Sequence, residues 1–318
     1  QFGGLEAHGA LFCAGAKWRH RRPAHNGGLM GQPKAIIAGA GIGGLAAALA
    51  CARAGWRVEL LEQTGQFAHV GAGIQVGPNV TRILNSWGLE HAFAQVAAFP
   101  DRLRVRDVVS GRELGSLRLG ETALRRYGAP YATIHRADMH AVLLHAVTAN
   151  PDISLRLGCG LDLFRQDDAG VRVTLQDGAH LAADLLVGAD GLWSRVRQQL
   201  LADGQPQATG HVAYRTLLTQ ADLPPHLRSH SVTAWLGTRQ HAVHYPVSGG
   251  RQLNLVVVVH EPLDRALGIL KKAAALTNHE LKPHLLTKEK LDLIAFLKSL
   301  TDTEFITNPK FSNPWEKK

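Results

Sequence analysis

Short apolar runs broken by Gly, Pro and Asp turns dominate the chain up to about residue 260. Lys34-Ala35-Ile36-Ile37-Ala38 is a continuous apolar run of strand length, the pattern of a strand covered on both faces. A glycine-rich turn follows, then the Ala/Leu-rich stretch Leu45–Ala54, which reads as a helix, and Arg57–Leu61, which reads as a second strand. Asn79–Leu84 begins a further helix behind Pro78, a residue suited to a first helical turn, and Trp87-Gly88-Leu89 ends it. Leu103–Val109 and Glu113–Leu119 read as strands paired about Ser110-Gly111-Arg112, and Ala137–Thr148 as a helix with one aliphatic face. Ser154–Leu157, Val171–Leu175 and His180–Ala183 are short strands separated by Asp/Gly turns, and Leu185–Val187 returns to a buried parallel sheet. From His211 the pattern is mainly β, over His211–Thr219, Ser231–Trp235, His241–Tyr245 and Gln252–His260. Strand–helix alternation followed by a run of strands predicts an α/β chain in which a parallel-sheet domain is interleaved with a mainly β domain.

The turn between the first strand and helix carries chemistry. Gly39-Ala40-Gly41-Ile42-Gly43-Gly44 fits G-x-G-x-x-G with strand before and helix after. Gly39 allows a tight turn, Gly41 keeps no side chain between backbone and a pyrophosphate, and Gly44 lets helix and strand approach. The helix start offers free N–H groups and a positive dipole end. Glu62 ends the second strand 18 positions after Gly44, where a carboxylate can take a ribose hydroxyl. These features predict a dinucleotide site, and an ordinary Gly-rich βα turn is the bland alternative. Later segments bear on which dinucleotide it is. Leu185-Leu186-Val187 runs into Gly188-Ala189-Asp190-Gly191, delivering a carboxylate to a sheet edge ahead of Arg195 and Arg197, and Arg136 leads into a helix.

At these residues the chain resembles the FAD-dependent aromatic-ring hydroxylases, the single-component flavoprotein monooxygenases. Beyond the first motif the likeness rests on Val70–Asn79 (VGAGIQVGPN), Ile134–Met139 (IHRADM), Gly188–Arg197 and Gly210–Arg215 (GHVAYR), and continues through His244-Tyr245-Pro246 and Asn254-Leu255-Val256, covering roughly Met30 to Asp264. The resemblance implies a Rossmann-like FAD-binding domain over 33–205 interleaved with a mainly β substrate-domain sheet over 206–267. It implies FAD as cofactor, NADH or NADPH as co-substrate, O2, and a phenolic or benzoate-type acid as substrate, with transfer of oxygen through a flavin C4a-hydroperoxide. It gives the FAD diphosphate to Gly39, Gly41, Gly43 and Gly44, and the ribose to Glu62. Gln75 falls near the flavin ring, Arg136 reaches the cofactor, and Asp190 lies at the phosphate–ribose region. His211, Tyr214 and Arg215 line the aromatic pocket, where a His or Tyr relays the phenol proton. The alternatives are a surface salt bridge for Arg136, a simple Asp-Gly turn for Asp190, and packing for His211 and Tyr214. A dehydrogenase using NAD through the first motif alone is a rival reading, against which Arg136 and Asp190 argue.

The last fifty residues change character. Up to Leu270 there are 24 Arg and two Lys, and from Lys271 to Lys318 nine Lys and no Arg. Leu281–Trp315 resembles the C-terminal end of bacterial di-haem cytochrome c peroxidases, so 268–318 is expected to be a foreign helical tail joined near Leu267–Lys271; a divergent Lys-rich lineage is the alternative. Cys13, Cys51 and Cys159 lack the Cys-x-x-Cys-His spacing of haem attachment, and no metal ligand set is expected. The Gly-Asp motif that the family places after its substrate sheet is missing from Arg265–Lys318, which predicts an FAD site truncated at the C-terminus with weakened activity, or an inactive fusion retaining a partial dinucleotide site. Residues 1–32 are expected to be a disordered extension. The net charge of +9 is spread evenly, with four basic against one acidic residue in 1–33, 22 against 19 in 34–270 and nine against six in 271–318. An enzyme-like core this weakly basic argues against a nucleic-acid surface. No apolar run approaches the roughly 20 residues of a membrane span, and three scattered cysteines make a reducing cytoplasm the expected compartment, with a homodimer left open.

Overall fold

A computed structural model describes residues 12–14, 31–68, 71–207, 209–238 and 240–260; the expected foreign tail and most of the expected extension lie outside them. Contacts divide the chain into two units, residues 1–70 with 137–207 and residues 71–136 with 208–318. The stretch 71–136 therefore groups with the β-rich part rather than with one continuous 33–205 segment, so the chain crosses between units three times.

In the first unit a five-stranded sheet runs in the order Phe12–Ala14, Leu185–Gly188, Lys34–Ala38, Arg57–Leu61, Ile153–Arg156. The last four are mutually parallel and Phe12–Ala14 is antiparallel to its neighbour. That edge strand departs from the expectation of disorder across 1–32, because an exposed sheet edge offers unpaired backbone groups to any nearby segment. Ile36, Ile37, Leu60, Leu61 and Leu186 are buried in this sheet and Leu45 in helix Ile42–Arg53, each such side chain worth roughly 1.5–3 kcal/mol when fully covered. The helix Arg136–Thr148 buries Met139, Leu143 and Val147, one residue per turn as its sequence spacing predicts. A three-stranded antiparallel sheet, His180–Ala183, Gly170–Leu175 and Leu161–Asp167, packs Phe164, Val171, Val173 and Leu175 against Leu186 and Val196. On the parallel sheet Glu59 is paired with Lys34 at 2.6 Å and Arg156 at 2.9 Å. Burial alone would raise the Glu59 pKa, but bonds and charge from Lys34 and Arg156 outweigh it and hold the carboxyl below its ordinary range.

The second unit contains a six-stranded sheet in the order His211–Thr219, Gln252–His260, Gln240–Val247, Val232–Leu236, Arg102–Asp107, Glu113–Arg118. Only the pairing of Val232–Leu236 with Arg102–Asp107 is parallel. A two-stranded ribbon, Gly73–Val76 with Ala132–His135, accompanies it, as do helices Pro78–Ser86, Glu90–Val96 and Gly120–Tyr127. The last two helices were not anticipated. Each buries a single side chain, Phe93 or Ala123, so neither writes an apolar stripe into the sequence.

Candidate cofactor turn and substrate face

The glycine turn is built as the motif requires. Gly39 sits at φ +94°, and a Cβ there would lie 2.4 Å from the Ala189 carbonyl oxygen and 2.9 Å from Asp190 Cα. The Asp190 segment is thus packed on the turn's backbone, joined by the Ala189 N–H donating to the Ala38 carbonyl at 2.8 Å. At Gly44 a Cβ would fall 1.7 Å from the Gly39 carbonyl oxygen, whereas at Gly41 and Gly43 it would meet nothing within 4 Å. The four glycines therefore divide into two that close the turn and two that leave its outer side open. Helix Ile42–Arg53 begins at Gly41 with no side-chain cap and no acidic residue in its first turn. The Ala40 N–H is taken by Glu62 Oε2 at 2.9 Å and the Leu45 N–H by the Gly41 carbonyl at 2.9 Å. Between them the N–H groups of Gly41 to Gly44 have no partner among the described residues. A helix start with unmet donors, an uncompensated dipole and no side chains in the way is an anion site, so these residues fit a diphosphate.

Glu62 also accepts from the Thr64 N–H and hydroxyl through Oε1 at 2.9 and 3.1 Å. Its carboxylate ties the turn to the end of the second strand and keeps acceptor capacity on Oε2 for a hydroxyl. His140 Nε2 bonds the Ala40 carbonyl at 2.8 Å, a support that sequence spacing did not suggest. Asp190 is differently employed. Oδ1 accepts from the Ser194 hydroxyl at 2.5 Å, and Oδ2 accepts from the Arg195 and Val196 N–H groups at 2.7 and 3.2 Å. Most of its acceptor capacity thus serves the start of helix Arg195–Leu201, where Ser194 caps the Arg197 N–H.

In the second unit Gln75 and Arg136 lie at the ribbon. The Tyr131 hydroxyl donates to Gln75 Oε1. Gly73 donates to Asn254 Oδ1 at 2.7 Å, and its carbonyl accepts from the Tyr245 hydroxyl at 2.7 Å. Arg136 is exposed, its stem lies against Gly71, and no ion pair joins it to a described carboxylate. Burial pushes the Tyr131 hydroxyl up to about 12. Tyr245 also stands at about 12, chiefly through burial, with Tyr131 adding and Arg215 opposing. Both phenols therefore stay protonated donors near neutral pH.

Ladder register places Tyr245 opposite Asn254, Asn254 opposite Leu217, and Arg215 opposite Val256. Alternation then puts Tyr245, Asn254, Arg215 and His211 on one face of the six-stranded sheet and Tyr214 on the other. The expected trio is split. His211 and Arg215 share a face with the ribbon-contacting residues, and Tyr214 cannot join them, because adjacent strand residues point opposite ways. His260 lies edge-on to His211 at 5.1 Å, while partial burial and then His211 lower the pKa of His241. His244 is on the Tyr214 face beside Trp235, and burial followed by Arg106 pushes it down to about 4. Tyr131, Tyr245 and Asn254 are the residues that sequence reasoning left without a role. The last two sat inside matched motifs, and only their register reveals the shared target. Among the described residues no His, Cys, Asp and Glu side chains are grouped to hold a metal, and no helix is long and apolar enough to cross a membrane.

Comparison with known proteins agrees with this geometry. Residues 32–295 match the FAD binding domain family, a match that runs past the junction expected near Leu267–Lys271 and lends no support to a peroxidase-like tail. The chain is 41% identical over 236 residues to 3-hydroxybenzoate 6-hydroxylase of Klebsiella oxytoca, covering 74% of this chain and 59% of that protein. It is 38% identical over 227 residues to 6-hydroxynicotinate 3-monooxygenase of Bordetella bronchiseptica, covering 70% and 57%. The chain thus spans less than two thirds of the length of these relatives. Among solved structures, Klebsiella pneumoniae HpxO complexed with FAD and uric acid superposes with a TM-score of 0.64 at 26% identity, covering 73% of this chain and 57% of that one. Family match, parallel-sheet turn and β-rich companion unit converge: the chain belongs to the FAD binding domain family, in the lineage of FAD-dependent aromatic hydroxylases.

Proposed function

We propose that this chain binds FAD and hydroxylates a phenolic or benzoate-type aromatic acid at the expense of NADH or NADPH and O2. The observation that carries the reading is the open run of N–H groups from Gly41 to Gly44 at an uncapped helix start, with Glu62 anchored beside it. Gly39 and Gly44 shape the turn, Gly41 and Gly43 face the diphosphate, and Glu62 takes the ribose. Gln75, Arg136 and Asp190 complete the cofactor contacts. Bound FAD would supply hydride acceptance from the nicotinamide and activation of O2 for transfer to the ring.

The chain's own residues bind and orient the acid. Arg215 offers a planar fork of donors matched to a carboxylate. His211, on the same face, holds the ring hydroxyl and moves its proton, which makes the ring electron-rich. Both relatives named above act, by their names, on aromatic acids bearing a hydroxyl group, the pattern that a His and an Arg on one face would read. Tyr214 has no part in this pocket. Titration of the purified protein with FAD, followed by NADH and NADPH consumption and chromatographic product analysis across a panel of hydroxybenzoates, tests the reading. FAD uptake with acid-dependent formation of a dihydroxy product supports it, and stoichiometric uptake together with acid-stimulated NADH oxidation refutes the expected impairment by a missing Gly-Asp pair. Protein that takes up no FAD sinks it.

A further inference from the structure

Ala40 stands between Gly39 and Gly41, so backbone sterics alone do little to hold the peptide planes on either side of it. Side chains from two distant elements do so instead. The Ala40 N–H donates to Glu62 Oε2 at 2.9 Å, and the Ala40 carbonyl accepts from His140 Nε2 at 2.8 Å. The carboxylate thereby fixes the Gly39–Ala40 plane and the imidazole fixes the Ala40–Gly41 plane. A carbonyl can only accept, which puts a hydrogen on Nε2 of His140. The imidazole is itself held. It lies on helix Arg136–Thr148, which buries the neighbouring Met139 and Leu143, and the Phe67 ring packs on it with centroids 4.7 Å apart and planes tilted by 59°. Ala40 is wholly buried. An apolar side chain at 140 could fill the same space but would leave the Ala40 carbonyl unmet. Ala40, Glu62, Phe67 and His140 all belong to the first unit.

A trans peptide is flat, and its C=O and N–H point opposite ways. Holding the Ala40 carbonyl on His140 therefore turns the Gly41 N–H away from the imidazole. That N–H is the first of the run without a partner among the described residues. Gly41 is extended at the helix start, with φ −68° and ψ −179°, and a Cβ on it would meet nothing within 4 Å. We infer that His140 is a positioning residue, whose bond to the Ala40 carbonyl sets the Ala40–Gly41 plane and so aims the Gly41 N–H at the diphosphate of bound FAD. This rests on the flavoprotein reading above and adds to it a residue from outside the glycine motif, 100 positions beyond Ala40.

The test uses the full chain with two probes, FAD and ADP, the latter carrying diphosphate and ribose without the flavin. His140→Leu removes the donor and keeps the bulk, whereas His140→Gln restores an amide N–H that can reach the same carbonyl. Phe67→Leu loosens the imidazole and leaves its donor in place. In apo-protein labelled with 15N-glycine, His140→Leu is expected to move the Gly41 amide signal. The same variant is expected to raise the Kd of both probes about tenfold, and His140→Gln to return it to within about twofold of the unsubstituted protein. A Gly41 signal unmoved in His140→Leu, or in Phe67→Leu should the former not fold, overturns the aiming of the peptide. A moved signal with unchanged affinity for both probes overturns the positioning role. Equal weakening in His140→Leu and His140→Gln overturns the hydrogen bond as its cause. Failure of the unsubstituted protein to bind either probe overturns the flavoprotein reading, and the positioning inference with it, while the Gly41 signal still judges whether His140 sets the plane.

Discussion

Gly44→Ala and Gly43→Ala are the same change one residue apart on the same helix, and they should act with opposite sign. At Gly44 the new Cβ would sit 1.7 Å from the Gly39 carbonyl oxygen, and Cβ atoms essentially never approach within 3.0 Å. The obstacle is backbone, so helix and turn must separate by at least about 1.3 Å, from 1.7 to 3.0 Å. Over-packing of this kind costs about 1–3 kcal/mol, and the upper end applies because no side-chain rotation relieves it. The gain in helix propensity, at most about 1 kcal/mol, leaves a net loss near 2 kcal/mol. At Gly43 nothing lies within 4 Å, so only the propensity gain of about 0.5–1 kcal/mol remains. Thermal unfolding of the apo-proteins followed by circular dichroism should therefore separate the two midpoints by about 5–10 °C, with Gly44→Ala the lower. FAD titration should weaken in both, in Gly44→Ala through a displaced turn and in Gly43→Ala through a methyl on the open side. Equal midpoints, or a more stable Gly44→Ala, would refute the division of the glycines into turn-closing and ligand-facing pairs.

Asp190→Ala should destabilise apo-protein by about 1–2 kcal/mol by uncapping helix Arg195–Leu201, measured as a lower urea midpoint; an unchanged midpoint with weaker FAD binding would mean that the carboxylate serves only the cofactor. Glu59→Gln should cost about 1 kcal/mol at pH 7. The folded Glu59 pKa lies below its ordinary 4.5, so its contribution is complete above that value and vanishes as pH falls through the folded pKa; the two unfolding curves should converge in acid, and a constant gap would contradict the ion pairing. Arg215→Gln should raise KM for a hydroxybenzoate by about tenfold or more with a smaller change in kcat, checked by steady-state kinetics, and a selective fall in kcat would place Arg215 at the reacting end instead.

The cofactor turn was legible because its chemistry is local. Gly39, Gly41, Gly44 and Glu62 lie within 24 residues of one another, and backbone conformation alone demands the glycines. The strand periods were equally plain, and nearly every strand of the six-stranded sheet lies within a residue or two of its expectation. What escaped was set by distant partners. That Tyr214 parts company with His211 and Arg215 follows from alternation, but which face matters depends on where Tyr245 and Asn254 meet the ribbon. The resemblance gives Asp190 a place at the cofactor, but not its local employment: three donors on its carboxylate come from residues 194–196, whose helix buries only Val196 and leaves no periodic trace. The grouping of 71–136 with the β-rich unit depends on pairings such as Leu103 with Val232, which no composition shift announces.

Glu62 has a kinetic consequence. Its two oxygens hold Ala40 and Thr64 from opposite sides, so the glycine turn is finished before any ligand arrives and little chain entropy remains to be lost on docking. Association with a diphosphate should then be a single encounter whose rate rises linearly with ligand concentration, without the plateau that a slow loop closure imposes. Severing either side of that carboxylate would convert a ready surface into one that must first be assembled, and the delay would show in the time course before it showed in the affinity.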